Sequence, residues 1–381
     1  MEIPGMKTNL SLFSFLSVLF SLVSISTTAQ NFNHPGVLHT LDGMNRMRYL
    51  VENKVDPAYG SYVLLKDHRF SQFDYVMEGP FRVIARDGEF RNTKSRMEAD
   101  FSAAYQNSLM WILTGNEAHA QKSLAILTGY ADSLKLIPDT NDAPLLAGLE
   151  GFKIIYALEV LKYTYPKIKA VELNHILRMF KEVFIPVMER FYARKPYTNG
   201  NWGPIVTKAY MAYAIHTDNR KMYNKAKNFY LYARDNGTIL HYISGETGQI
   251  QESGRDQPHC MLGLGAMATV CELAWQQGDD LYSALDNRLL KGYEYVAQYN
   301  LGYDVPFRQW TDITGKYNDW QVISESGRGR FMPVFEIAYN HFAGRKGLPM
   351  PYTLQTIEKN RPEGYDRDQP AFGTLLFFGT K

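Results

Sequence analysis

Apolar residues recur three and four positions apart along most of this chain, the spacing of a buried helix face. After Glu117 the series is Ala120, Leu124, Leu127, Ala131 and Leu134. The stretch before it, Ala103–Leu113, ends in "TGNEA", where Gly115 and Asn116 predict a tight turn between two helices. Further amphipathic stretches run over Ala143–Tyr163, Val171–Arg190, Ile205–Ile215 and Arg220–Tyr232. After an irregular passage come Cys260–Trp275, Leu285–Tyr299 and Met332–Phe342. The short connections favour antiparallel neighbours. Sequential helical hairpins build either a solenoid or a toroid, and a solenoid needs a repeat of fixed period that this sequence lacks. The pattern therefore predicts an all-α fold, an α/α toroid (an incomplete α/α barrel) of helical hairpins around a central cleft. Strand signals are confined to "TILHYIS" (Thr238–Ser244) and the C-terminal "FGTLLFF". No linker or low-complexity run divides the chain, so residues 30–381 read as one domain.

The first 29 residues depart from this pattern. Lys7 precedes an apolar run, Leu10–Ser24, too short and Ser-rich for a membrane span, and Thr27-Thr28-Ala29 puts small residues at cleavage spacing. They read as a signal peptide, which predicts a mature chain starting at Gln30 and exported, periplasmic or secreted. No later run reaches the roughly 18 apolar residues of a membrane span. Across 381 residues, 41 Lys and Arg face 39 Asp and Glu; a formal charge of +2 without a basic block argues against a nucleic-acid partner. Cys260 and Cys271, the only cysteines, sit on one predicted helix ~16 Å apart along its axis, beyond disulfide reach, and read as two buried thiols. The 26 Tyr and 21 Phe suit either a carbohydrate-binding surface or ordinary helix packing.

Three polar constellations interrupt the helices: "YTNGNWGP" (Tyr197–Pro204), "ESGRDQPH" (Glu252–His259) and "SESGRGRFMP" (Ser324–Pro333). In each, a Pro opens an apolar stretch, where its missing N–H costs nothing; this predicts a helix N-terminus at each one. Such ends favour anions. Asn199, Asn201 and Gln257 add amide donors, and Arg255 adds a fork matched to a carboxylate. If the inner helices of a toroid start at one end, these groups converge on one cleft suited to an acidic substrate. Each residue also has a structural reading: Asp256 or Asn201 as a helix cap, Glu252 as a partner of Arg255, Trp202 as core. Against those readings, donors outnumber the carboxylates available to satisfy them. Gly263, Gly265, Ala266 and Ala268 suit an inner helix packed close to its neighbours. Nucleophile-elbow, zincin and P-loop motifs are missing, and nine scattered His offer no ligand spacing, so no metal or other cofactor is expected.

Five stretches, "NFNHPGVLHTLDGMNRMRYLV", "NGNWG", "GQIQESGRDQPHCMLGLGAMA", "QQGDDLYSALDNRLLKGYEYVAQYNLG" and "GRGRFMPVFEIAYNHF", together resemble the alginate lyase-like group of polysaccharide lyases. The likeness runs from about Asn31 to Tyr352. It implies an α/α toroid that cleaves a uronic-acid polysaccharide by β-elimination, without metal, leaving a 4,5-unsaturated uronyl end. The resemblance casts Asn201 and His259 as the neutraliser–base pair, assisted by Arg255 and Gln257, with Asn199 and Trp202 beside the substrate. Better-known relatives carry a Tyr inside the helix shortly after the motif's Arg; here that region reads Cys260, Met261, Leu262. The acid/base role is therefore expected at Tyr299, with Tyr295 and Tyr339 behind it, and Arg328 and Arg330 at flanking subsites. The loop Arg308–Gln321 is expected to decide whether cleavage is internal or terminal. Two alternatives stand: a toroid glycoside hydrolase using Glu252 and Asp256, which calls for opposed carboxylates, or a non-catalytic glycan-binding protein.

Overall fold

Helices buried on every side alternate with helices that have one apolar face, and this alternation sets the architecture. The computed structural model describes residues 31–380 together with Met1; the expected signal peptide lies outside the described residues. From Phe32 onward the chain forms one compact unit. Its helices are α1 (Leu41–Glu52), α2 (Ala58–Asp67), α3 (Lys94–Thr114), α4 (Glu117–Ser133), α5 (Ala143–Thr164), α6 (Ala170–Ala193) and α7 (Trp202–His216). There follow α8 (Arg220–Tyr232), α9 (Ile239–Tyr242), α10 (Gln257–Trp275), α11 (Ala284–Asn300), α12 (Phe335–Tyr339), α13 (Pro351–Asn360) and α14 (Gly373–Phe377).

Helices α3, α5, α7 and α10 are buried all round and pack side by side in that order, with α12 next to α10; they form the inner row. Each has an outer partner behind it, in the pairs α3–α4, α5–α6, α7–α8 and α10–α11. The outer α8 shows the contrast in sequence terms, since it buries only Tyr223, Ala226 and Tyr230, three residues of one stripe. The gap between α12 and α3 is taken by α14, α2 and α1 rather than by a further hairpin. This is the expected all-α toroid.

The α3–α4 turn forms where it was predicted. Gly115 takes the left-handed conformation (φ 67°) as its N–H bonds to the Trp111 carbonyl, and Asn116 caps α4 by accepting from the Ala118 N–H. Cys260 and Cys271 are buried free thiols. Both strand expectations fail. Thr238–Ser244 contains the single turn of α9, leaving only an isolated antiparallel bridge between Ile243 and Ile250, and the C-terminal run becomes α14. Short apolar runs carry too little period to separate strand from helix, and here packing against other helices decides. Among the described residues no helix is long and apolar enough to cross a membrane.

Candidate active site

Two of the three polar constellations sit together, at the first turns of the neighbouring inner helices α7 and α10. Asn201 occupies the N-cap position of α7, fully buried. Its backbone N–H donates to Glu252 Oε2 (3.0 Å), and its Nδ2 donates to both Glu252 oxygens (2.9 and 2.8 Å). Arg255 Nη1 donates to Glu252 Oε1 (2.8 Å), and the Tyr242 hydroxyl donates to Glu252 Oε2 (3.1 Å). One buried carboxylate thus ties α7, the end of α9 and the entrance of α10 into a single unit. The Tyr242 ring fits because its neighbours are glycines. A Cβ on Gly263 would lie 2.0 Å from the Tyr242 hydroxyl, and one on Gly200 would lie 2.5 Å from the ring.

Asp256 is the N-cap of α10. Its carboxylate accepts the His259 backbone N–H (2.8 Å) and lies 2.7 Å from His259 Nδ1 through both oxygens. The capping expectation for Asp256 holds, and the same carboxylate also orients the imidazole. Burial works to raise the Asp256 pKa, but the His259 ring and N–H, with Arg255, outweigh it and hold the carboxyl below the usual range. An ionised Asp256 keeps the proton on Nδ1 and turns the Nε2 lone pair outward. There it accepts from Arg255 Nη2 (3.1 Å).

Arg255 Nη1 also donates to Asn199 Oδ1 (3.0 Å), and that oxygen accepts a 2.5 Å hydrogen bond from Tyr317. Tyr317 enters from the long loop between α11 and α12 and packs its ring at a tilt against Trp320 (centroids 4.4 Å), with Arg255 6.0 Å from its ring centroid. Burial lifts its phenol above the ordinary value although Arg255 pulls the other way, so Tyr317 keeps its proton at neutral pH. Asn199, Arg255, His259 and Tyr317 are all half-buried, open on one side.

The remaining expected residues lie elsewhere or point away. Gln257 is buried, its Nε2 donating to the Ser324 carbonyl (2.9 Å) and its Oε1 accepting from Asn300 (3.1 Å), so it clamps the third constellation to α10. Trp202 is core, its ring tilted against Tyr197 with centroids 4.3 Å apart. Tyr299 is buried at the end of α11 beneath Arg328, whose guanidinium lies 4.0 Å from its ring centroid. Tyr295 donates to the Pro306 carbonyl (2.9 Å). Tyr339 ends α12 and has no hydrogen bond to the cluster. Arg328 donates to the Tyr299 and Tyr303 carbonyls, and Arg330 is exposed on the same loop. Pro333 stands two residues before α12 instead of inside its first turn. Leu262, in the region where the resemblance calls for a Tyr, joins Leu149, Ile205 and Ala266 in a small apolar cluster on α5, α7 and α10. Sequence reasoning missed Tyr317 and Tyr242. The only signal for Tyr317 was its place in the loop expected to shape the cleft.

An all-α toroid with amide, guanidinium, imidazole and phenol groups gathered at two inner-helix entrances is the scaffold of a polysaccharide lyase. The chain belongs to the alginate lyase family: the profile described as "Alginate lyase" matches residues 62–305. No curated protein sequence matches it. Among solved structures, a Tyr-to-Phe variant of alginate lyase A1-III bound to a tetrasaccharide superposes with a TM-score of 0.67 at 11% identity, over 92% of this chain and 98% of that one. Alginate lyase A1-III from Sphingomonas species A1 gives 0.61 at 12% identity, over 88% and 94%. An alginate lyase from Bacteroides ovatus gives 0.58 at 14%, over 90% and 99%.

Proposed function

We propose that this polysaccharide lyase cleaves a uronic-acid polysaccharide, polymannuronate or another alginate block or glucuronan, by β-elimination at the Asn199–Arg255–His259–Tyr317 cluster. The observation that carries the reading is the placing of an imidazole lone pair and a protonated phenol on either side of one guanidinium. Arg255, with the Asn199 amide, binds the uronate carboxylate and stabilises the charge that gathers on it as the C5 proton leaves. His259 Nε2 takes that proton. The C5–H electrons form the C4=C5 double bond, the C4–O4 bond breaks, and the Tyr317 hydroxyl protonates the departing O4. For this to happen, Arg255 Nη2 must turn from His259 to the substrate carboxylate, which frees the lone pair. Asn201 supports the site through Glu252, its amide being already engaged there. Tyr299, Gln257 and Trp202 drop out of the substrate contacts for the reasons of burial and bonding given above. We place the enzyme outside the cytoplasm, a reading that rests on residues 1–29 alone.

A hydrolase reading is disfavoured. Glu252 is fully buried under three side-chain donors and Asp256 is spent on His259, so neither is free to face a sugar. The test is absorbance of the C4–C5 unsaturated uronate on polymannuronate, polyguluronate, glucuronan and chondroitin, each with chelator present. The expected signal appears on one of these and is lost in His259→Ala. In Tyr317→Phe kcat falls by about 10²–10⁴-fold, the usual worth of a general acid, while Tyr299→Phe leaves it unchanged. New reducing ends without the absorbance would overturn the elimination, and a fully active Tyr317→Phe would move the acid role elsewhere.

A further inference from the structure

At the far end of α10, ~24 Å along the helix from His259 at 1.5 Å per residue, lies a cavity of about 480 Å³. Its walls include Arg46, Arg345, Glu272, Trp275, Gln276 and Asp42, with His39 beside Arg46. The two arginines differ. Arg345 is neutralised by Glu272 in a two-point ion pair (2.7 and 2.8 Å). Arg46 has no carboxylate within ion-pair distance among the described residues; its guanidinium donates only to the Leu376 and Phe378 carbonyls, and its Nε has no partner. His39, fully enclosed, likewise leaves Nε2 without a partner, and so does the Nε of Arg345. Glu272, also on the wall, and Asp42 at the rim balance the two arginines in formal charge, but Glu272 is held by Arg345, and neither carboxylate pairs directly with Arg46. Burial, then Arg345 beside it, outweigh the Glu272 charge and bring the Arg46 pKa down to about 10, and burial with both arginines brings that of His39 down to about 3.

We infer that this cavity is a second binding site of the chain, which takes the carboxylate of an acidic mono- or disaccharide against Arg46. A volume of this size is that of a small-ligand pocket. Three features select a sugar over a bare anion. Trp275 offers a half-buried ring as a platform. The side-chain oxygen of Gln276 remains an acceptor, because, of its amide, only Nε2 is engaged, on Glu272 (2.7 Å). Asp42, exposed at the rim, adds a second acceptor for hydroxyl groups. None of these residues belongs to the cluster at the other end of α10, so the site stands whether or not that cluster works as proposed.

The experiment is calorimetric titration of the full chain carrying His259→Ala, which removes turnover, with glucuronate and a diglucuronate, and with glucose and inorganic phosphate as separate arms. Saturable binding of the acidic sugars is expected in this background, with none for glucose. Arg46→Gln should weaken it at least tenfold, as loss of a charge-assisted hydrogen bond requires. Trp275→Ala should weaken it several-fold, and this variant carries the test if Arg46→Gln, which also grips two C-terminal carbonyls, fails to fold. Phosphate binding equally well and indifferent to Trp275→Ala would reduce the cavity to a plain anion site and overturn the sugar assignment. Acidic-sugar binding that neither Arg46→Gln nor Trp275→Ala alters, or no binding at all, would overturn the site itself. Lyase activity enters none of these readouts.

Discussion

The Glu252 carboxylate receives hydrogen bonds from Asn201, Tyr242 and Arg255 with no surface left to water. Its charge is matched by Arg255 and its remaining lone pairs by neutral donors, so a neutral isostere is not equivalent. Glu252→Gln sets an amide NH₂ among groups that themselves donate and removes the nearer of the two carboxylates paired with Arg255, leaving only Asp256 at 3.6 Å. The expected loss is about 3–5 kcal/mol, the range for breaking one side of a buried ion pair, read from the urea midpoint. In the fraction that remains folded, kcat should fall because Arg255 no longer holds Asn199 and His259 in register. The sequence made part of this visible. Glu252 and Arg255 stand three residues apart and pair as that spacing suggests. Its bonds to Asn201, 51 residues away, and to Tyr242 were not legible, because nothing local marks which side chain a buried carboxylate will face.

Helices and loops were legible to different degrees for one reason: only helices write a period into the sequence. The nine stretches from Ala103 to Phe342 all fall on helical segments, though Leu285–Asn287 open α11 in a left-handed turn and Met332–Phe342 starts before α12 and runs into a π-helical segment, Asn340–Arg345. The loop after α11 has no such period, and it carries Tyr317. Its shape comes from a few fixed points. Asp312 accepts from Asn236 Nδ2 (2.7 Å) and from the N–H groups of Thr314, Lys316 and Tyr317 (3.2, 2.9 and 3.1 Å). Trp320 then packs close against Gly254, where an added Cβ would come within 2.4 Å of the Trp320 Cβ. Gly254→Ala should therefore push Trp320 and its ring partner Tyr317 off the cluster. The strain of such overpacking is about 1–3 kcal/mol, and the loop, rather than the helices, is the part free to relieve it. A lowered kcat with altered tryptophan emission and a nearly unchanged melting temperature is the expected outcome. Unaltered kcat would mean that the position of Tyr317 does not matter to the reaction.

At the scale of the whole molecule, the segment before α1 straps the end of the toroid opposite the cluster. Asn33 exchanges hydrogen bonds with Gln276 and Gln277 at the close of α10, and His34 lies against Glu159 of α5 (3.0 Å) and Asp218 beyond α7 (3.2 Å). Glu159, fully buried, also holds His216 at the end of α7 (2.6 Å). The toroid itself was foreseeable from hairpin order and from the resemblance; this strap was not, since its bonds run between residues more than 120 apart. It gives the fold a pH dependence whose sign can be worked out. The hydrogen bond to Glu159, only partly opposed by burial, raises the His34 pKa above its ordinary value. A histidine raised on folding contributes stability that is complete below the unfolded value of about 6.5 and is lost as pH rises through the folded value. Burial pushes Glu159 upward, but its bonds from His216 and His34 prevail and bring it to about 2. Its own contribution is thus already complete above the unfolded carboxylate range and does not change near neutrality. Other buried groups titrate there, Glu150 at about 7 and Lys208 at about 8, so the comparison must be with a variant rather than between pH values alone. The urea midpoint of the native chain should exceed that of His34→Gln most at pH 5.5–6, with the gap narrowing steadily toward alkaline pH. A gap that stays constant across that window would show that His34 holds the strap by shape and not by charge.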